Sequence, residues 1–236
     1  LATSALIEGD ASFVMNTFLA NQLTPQALRD SLLALFTQNS RELGAAPRFL
    51  RESLLFPYLR GADFCMELFA HGGMQAVTRA FKSPPISTSE ILHPQRYIAR
   101  LNDPAAHPPP PPIAWANPTF DGTAPLADNT LGEFGLRILL AEWAAPDQAE
   151  PAAEGLLRDR YLVAPDRETF VHASRWASPA EADQFAAAAR LWLAKRSGAP
   201  EGPWRVERSG PAGVLAIRAP SPAAAATLAQ RFALEP

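Results

Sequence analysis

Two stretches in the C-terminal half follow one plan: a pair of alternating apolar runs, a tight turn, then a helix opened by Ser-Pro-Ala. Residues 160–176, RYLVAPDRETFVHASRW, read as a hairpin turning at Pro165-Asp166, with a helix starting at Ser178 and Pro179. Residues 204–219, WRVERSGPAGVLAIRA, read as a second hairpin turning at Gly210-Pro211, with a helix from Ser221 to about Phe232. The two Ser-Pro-Ala starts are 43 positions apart (178 and 221), which marks an internal repeat. Hairpin and helix twice over predict a four-stranded antiparallel sheet with both helices on one face. In that arrangement His172, alternating with Phe170 and Ser174, is expected on the open face, and Asp159 with Arg160 at the hairpin start reads as a structural ion pair in preference to a catalytic one.

The first twenty residues, LATSALIEGDASFVMNTFLA, put two carboxylates into an apolar helix. At about 100° per residue, Ala2, Leu6 and Phe13 share one face, and Ile7, Ala11, Val14 and Phe18 cover the next. Such a helix is expected to be central and buried. Buried carboxylates need partners, so Glu8 and Asp10 are expected to be strongly paired. Gly9 between them costs roughly 1 kcal/mol of helix propensity, which points to close approach of another backbone. Glu8 reads either as a structural carboxylate bonded to Arg or backbone amides, or as a metal ligand.

Residues 24–38 form the next predicted helix, with Thr24 as cap, Pro25 first, and Leu28, Leu32, Leu35 and Phe36 on its apolar side. Residues 47–58 are expected as short helical pieces broken at Phe56-Pro57, and residues 61–81 as a helix pair turning at His71-Gly72-Gly73. Pro84-Pro85 holds an extended segment, Ser87 or Thr88 caps a short turn, and His93-Pro94 ends it. Residues 102–124 are a Pro-rich connection whose run 108–112 suits a semi-rigid spacer better than a peptide ligand. Helix is expected again over 126–144, capped by Asp128, with Glu133 as the buried partner of an Arg. The reading is therefore α+β: a mainly helical core over 1–101, the connection 102–124, and a helix plus two hairpin–helix units over 125–236.

Composition narrows the function. A net charge of -3, with no Lys/Arg run, offers no field for nucleic acid. No uncharged apolar run is long enough to span a membrane, although association with a membrane surface stays open. The single cysteine, Cys65, among Phe64, Met66 and Leu68, reads as a buried inert thiol. Among the four histidines, His71 suits a helix C-terminus and His107 a solvated position in the connection. His93 reads as an oxyanion donor or as a residue bonded to a local carbonyl. Tyr97, four positions on, reads as a second donor or as a packing residue. No G-x-S-x-G, P-loop or G-x-G-x-x-G is present. The chain opens at Leu1 without an initiator Met or signal sequence, which predicts that an upstream segment has been removed.

Three segments together resemble a bacterial family of zinc metallopeptidase-like proteins, secreted or lipoprotein. They are ALIEGDAS (5–12), LLFPYLRGADFCMELFAHGGMQAVTRAFKSPPISTSEILHPQRY (54–97), and LGEFGLRILL (131–140) through DRYLV (159–163) to WASPAEADQFAAA (176–188). The middle segment is similar to the family's FPY-x-x-G, GGW-x-x-V and PP-x-ST-E-Q-I-L-H-P-E-K-Y. The resemblance runs to about Arg196 and is weakest in the Pro-rich middle. It implies a zincin-like helical core and an extracytoplasmic location, whether periplasmic, secreted or lipoprotein-anchored. In that family an HExxH helix precedes the EGDA helix, and its two His with the later Glu bind zinc. Carried over, Glu8 is the third zinc ligand; His93 and Tyr97, read above as oxyanion donors, are the catalytic candidates for such a site. This chain contains no HExxH, its GGW is Gly72-Gly73-Met74, and GWGGDRY is replaced by residues 155–161, GLLRDRY. The expectation is the distal part of such a protein, not catalytic on its own, with zinc only if an upstream segment or companion protein brings HExxH. The second expectation, of a different class, is a non-catalytic accessory or interaction subunit that keeps the fold.

Overall fold

The structure, a computed structural model, describes residues 1–22, 44–143, 146–197 and 204–234. The helix expected over 24–38 lies outside them. The chain divides into two units, Leu1–Pro109 and Pro110–Pro236. The fold is α+β, and its strands form a single antiparallel sheet among the described residues.

In the described part of the first unit, α1 (Ala2–Gln22) packs on α2 (Arg48–Lys82), followed by the short α3 (Thr88–Leu92) and α4 (Pro94–Asn102). The close approach expected at Gly9 is there. A Cβ on Gly9 would sit 2.2 Å from the carbonyl carbon of Gly61, and one on Gly61 would sit 2.0 Å from the carbonyl oxygen of Ala5. Only glycine fits at either position, and the contact brings Ala5 and Leu6 onto Phe64, Cys65 and Leu68, all buried.

That seam is one-sided, which corrects the expectation of a helix buried all round. Among the described residues Ile7, Val14 and Phe18 are 53%, 48% and 62% exposed. They lie across the helix from Gly9, where α2 does not reach. The break expected at Phe56-Pro57 is absent too. Pro57 sits inside α2, where its ring is buried beside Phe56 and Gly61. The cost is one helix hydrogen bond, because Pro has no N–H for the carbonyl of Ser53. The helix does bend where the two glycines were expected to turn, at Gly72 and Gly73, and the φ of 65° at Gly73 is open to glycine at little cost.

The second unit contains β1 (Ala127–Asn129), α5 (Gly132–Trp143), α6 (Pro146–Glu154), β2 (Leu156–Val163), β3 (Phe170–Trp176), α7 (Pro179–Ser197), β4 (Trp204–Arg208), β5 (Gly213–Arg218) and α8 (Pro222–Arg231). Both predicted hairpins form, and both helices start as read. Ser178 accepts the N–H of Glu181 at 3.2 Å, and Ser221 that of Ala224 at 3.2 Å.

The sheet order β1-β2-β3-β5-β4 has five strands where four were expected. The extra strand, β1, arises where a helix was expected to start. Asp128 is not that helix's cap. It pairs in the strand with Arg160, at 2.8 and 2.6 Å.

The two repeat helices also lie on opposite faces, not on one. Helix α7 packs Phe185 and Ala186 on Trp176 and Val214, whereas α8 packs Ala225 and Ala229 with Val171, Leu215 and Ile217. The reason is in the strands. β3 and β4 run parallel with β5 between them, so β3–α7–β4 is a crossover that occupies one face. Consecutive residues of β3 and β5 are buried, so the other face must be covered as well.

Part of that second cover comes from the Pro-rich connection, which from Pro110 onward belongs to the second unit. Prolines offer carbonyls and no donors. Arg158 donates to the carbonyl of Pro110 at 3.0 Å, and Arg160 to that of Ile113 at 3.0 Å. The Arg160 guanidinium also lies 4.9 Å over the Trp115 ring, whose indole N–H reaches the carbonyl of Phe232 at 3.1 Å.

The Gly61→Ala protein is expected to lose about 1–3 kcal/mol of stability, although alanine is the better helix former. Urea unfolding followed by helical circular dichroism measures it; an unchanged or raised midpoint would show that α1 does not sit on α2 through this contact.

Candidate functional site

Glu8 projects from α1 beside the glycine seam and is half-buried. Among the described residues it has no hydrogen bond or ion pair, and Asp10 leaves one buried carboxylate oxygen, Oδ1, without a hydrogen-bond partner. The strong partners expected for the two carboxylates are therefore not found among those residues. Cys65 lies under the same helix, its Sγ 3.9 Å from the carbonyl oxygen of Leu6. Burial, and then the negative charge of Asp10, push its thiol up to about 12, so it is an inert core residue.

His93 ends α3 and leads into α4. Its N–H donates to the carbonyl of Ser89 at 2.8 Å, and its carbonyl accepts from Arg96 at 2.9 Å. The ring is half-buried. Tyr97, one turn into α4, is 1% exposed. Its hydroxyl donates to the carbonyl of Ser83 at 2.9 Å, its ring meets Phe64 edge-on at 5.2 Å, and the Arg100 guanidinium lies 5.4 Å over it. Burial foremost, with Glu90 adding, raises the phenol to about 12, against the opposing charges of Arg100 and Arg79. The phenolic proton is thus committed to holding the Pro84-Pro85 segment.

Glu90 organises this region and was not singled out by the sequence reading. Its carboxylate accepts the Ile86 N–H at 2.8 Å and both arms of Arg100, at 2.5 and 2.9 Å. Ser87 in turn accepts the Glu90 N–H at 3.3 Å. The signal was in the spacing, Ser87-x-x-Glu90, which is that of a capping box.

Helix α1 packs on α3, so the element bearing Glu8 touches the one that ends at His93. The packing does not assemble a metal centre from the described residues, among which no three His, Cys, Asp or Glu side chains converge. A catalytic zinc takes about three protein ligands, and Glu8 supplies one. Among the described residues the donor set is one carboxylate, two ligands short of such a site.

The second unit buries a different polar cluster. Asp159 accepts the N–H groups of Leu131 and Gly132 at 2.7 and 3.0 Å, and its Oδ2 lies 3.3 Å from His172 Nε2. The expected Asp159–Arg160 pair does not form because neighbours on a strand point to opposite faces. Asp159 turns to the start of α5 while Arg160 turns to Asp128 and the proline strap. His172 is not on an open face either. It is 3% exposed, stacked on Phe170 at 6.4 Å and edge-on to Phe185 at 6.1 Å, because α7 covers that side. Glu133, expected to be buried with an Arg, is 1% exposed and bound by Arg137 of the next turn at 2.5 and 3.0 Å.

An open cleft of about 610 Å³ lies between the 164–169 turn and α8. Two charged side chains of its wall are already engaged. Asp166 accepts the Glu168 and Thr169 N–H groups and the Thr169 hydroxyl, bonds that lower its pKa, and Arg231 holds Asn117 and Thr119.

Residues 122–228 match a family described as a domain of unknown function (DUF8575). No curated protein and no solved structure matches the chain. The matched span stops short of the core it belongs to, since Ile113 and Phe120 precede it and Ala229, Phe232 and Leu234 follow it in one buried cluster.

A fragment of residues 122–228 is therefore expected to melt without a cooperative transition, whereas residues 110–236 melt cooperatively; equal transitions in calorimetry would refute the proline strap as part of the core. Asp159→Ala should destabilise the protein by roughly 2–4 kcal/mol, since it strands two N–H donors, and a loss under about 0.5 kcal/mol in chemical denaturation would contradict the anchor. With a thiol reagent at pH 8, Cys65 is expected to stay unreacted in the native protein and to titrate on unfolding; prompt native labelling would overturn the assignment.

Proposed function

We propose that this chain is the distal part of a zinc metallopeptidase-like protein and is not catalytic by itself. The reading rests on the motif residues 5–12 and 54–97 together with the lack of HExxH in residues 1–236. The observation that carries it is Glu8: a half-buried carboxylate, without a partner among the described residues, on a helix held in place by Gly9 against Gly61. Pre-positioned carboxylates of this kind suit metal ligation once two further ligands arrive. In this proposal the helical unit is zincin-like, and the HExxH helix comes from an upstream segment or a companion chain. Zinc then depends on that helix, and the protein works outside the cytoplasm. His93 and Tyr97 remain the catalytic candidates of this proposal, with the Tyr97 hydroxyl held by the carbonyl of Ser83.

A second reading, a metal-free accessory or interaction subunit, is favoured by one observation. Large apolar side chains stay exposed along α1 and α2, among them Ile7, Val14, Phe18, Leu50, Leu54 and Met66. Exposed apolar side chains at helical spacing on one side of a helix, as at Ile7, Val14 and Phe18, are a feature of interaction sites in folded proteins. Both readings call for something to pack on the first unit, and they differ in whether it brings histidines.

Zinc content and mass-spectrometric sequencing of the natively purified product separate them. The first reading expects an HExxH segment in the product or travelling with it, bound zinc, and at least a tenfold loss of zinc affinity in Glu8→Gln. Full zinc affinity in Glu8→Gln removes it. A stable complex lacking both zinc and HExxH establishes the accessory reading instead.

A further inference from the structure

We draw no further inference here: the strongest candidate, the exposed apolar stripe of Ile7, Val14 and Phe18 on the side of α1 opposite Gly9, carries nothing beyond the reading above because nothing in the structure shows what covers it.

Discussion

Two glycines that touch, Gly9 and Gly61, decide how the described part of the first unit is built. Backbone-to-backbone contact leaves no room for rotation of α1 about its own axis, so every other residue of that helix has its direction set. Ala5 and Leu6 go to the core with Phe64 and Leu68, Glu8 and Asp10 flank the seam, and Ile7, Val14 and Phe18 face away. The helix propensity lost at Gly9, about 1 kcal/mol, is offset by apolar burial on both sides of the contact. The same constraint leaves the helix with an apolar outer side, and it is why Glu8 can be held in place without a bond of its own among the described residues.

The second unit depends on alternation along β2. Asp159 and Arg160 are consecutive and therefore serve opposite layers. Asp159 anchors the start of α5 under the α7 side, and Arg160 binds Asp128 and the carbonyl of Ile113 on the other side. One strand thus ties a helix to one face of the sheet and the proline strap to the other. Arginines suit this use of a Pro-rich stretch because they bring donors to carbonyls whose own chain has few to offer.

Local signals were legible in the sequence wherever the cause was local. Pro165-Asp166 and Gly210-Pro211 turn the hairpins, Ser178 and Ser221 cap the helices, and the glycines at 72 and 73 bend α2. Glu133 as a buried partner of arginine follows from a four-residue spacing on one helix. What was misread depended on distant parts of the chain. Asp128 looks like a helix cap until β2 arrives beside it, and His172 looks exposed until α7 folds over it. Of the candidate site, the crowding at Gly9 could be read directly, whereas Tyr97's engagement with Ser83 could not, because it needs α4 to fold back on the Pro84-Pro85 segment.

By itself the sequence determined an α+β chain, two hairpin–helix units, the capped helix starts and a glycine contact in the first helix, since each follows from residue geometry within a few positions. Only the tertiary structure decided which faces are covered, which strand joins the edge of the sheet, and which polar groups are spent on structure. Those outcomes depend on burial, and burial is a property of what packs against a residue, not of its neighbours in the chain.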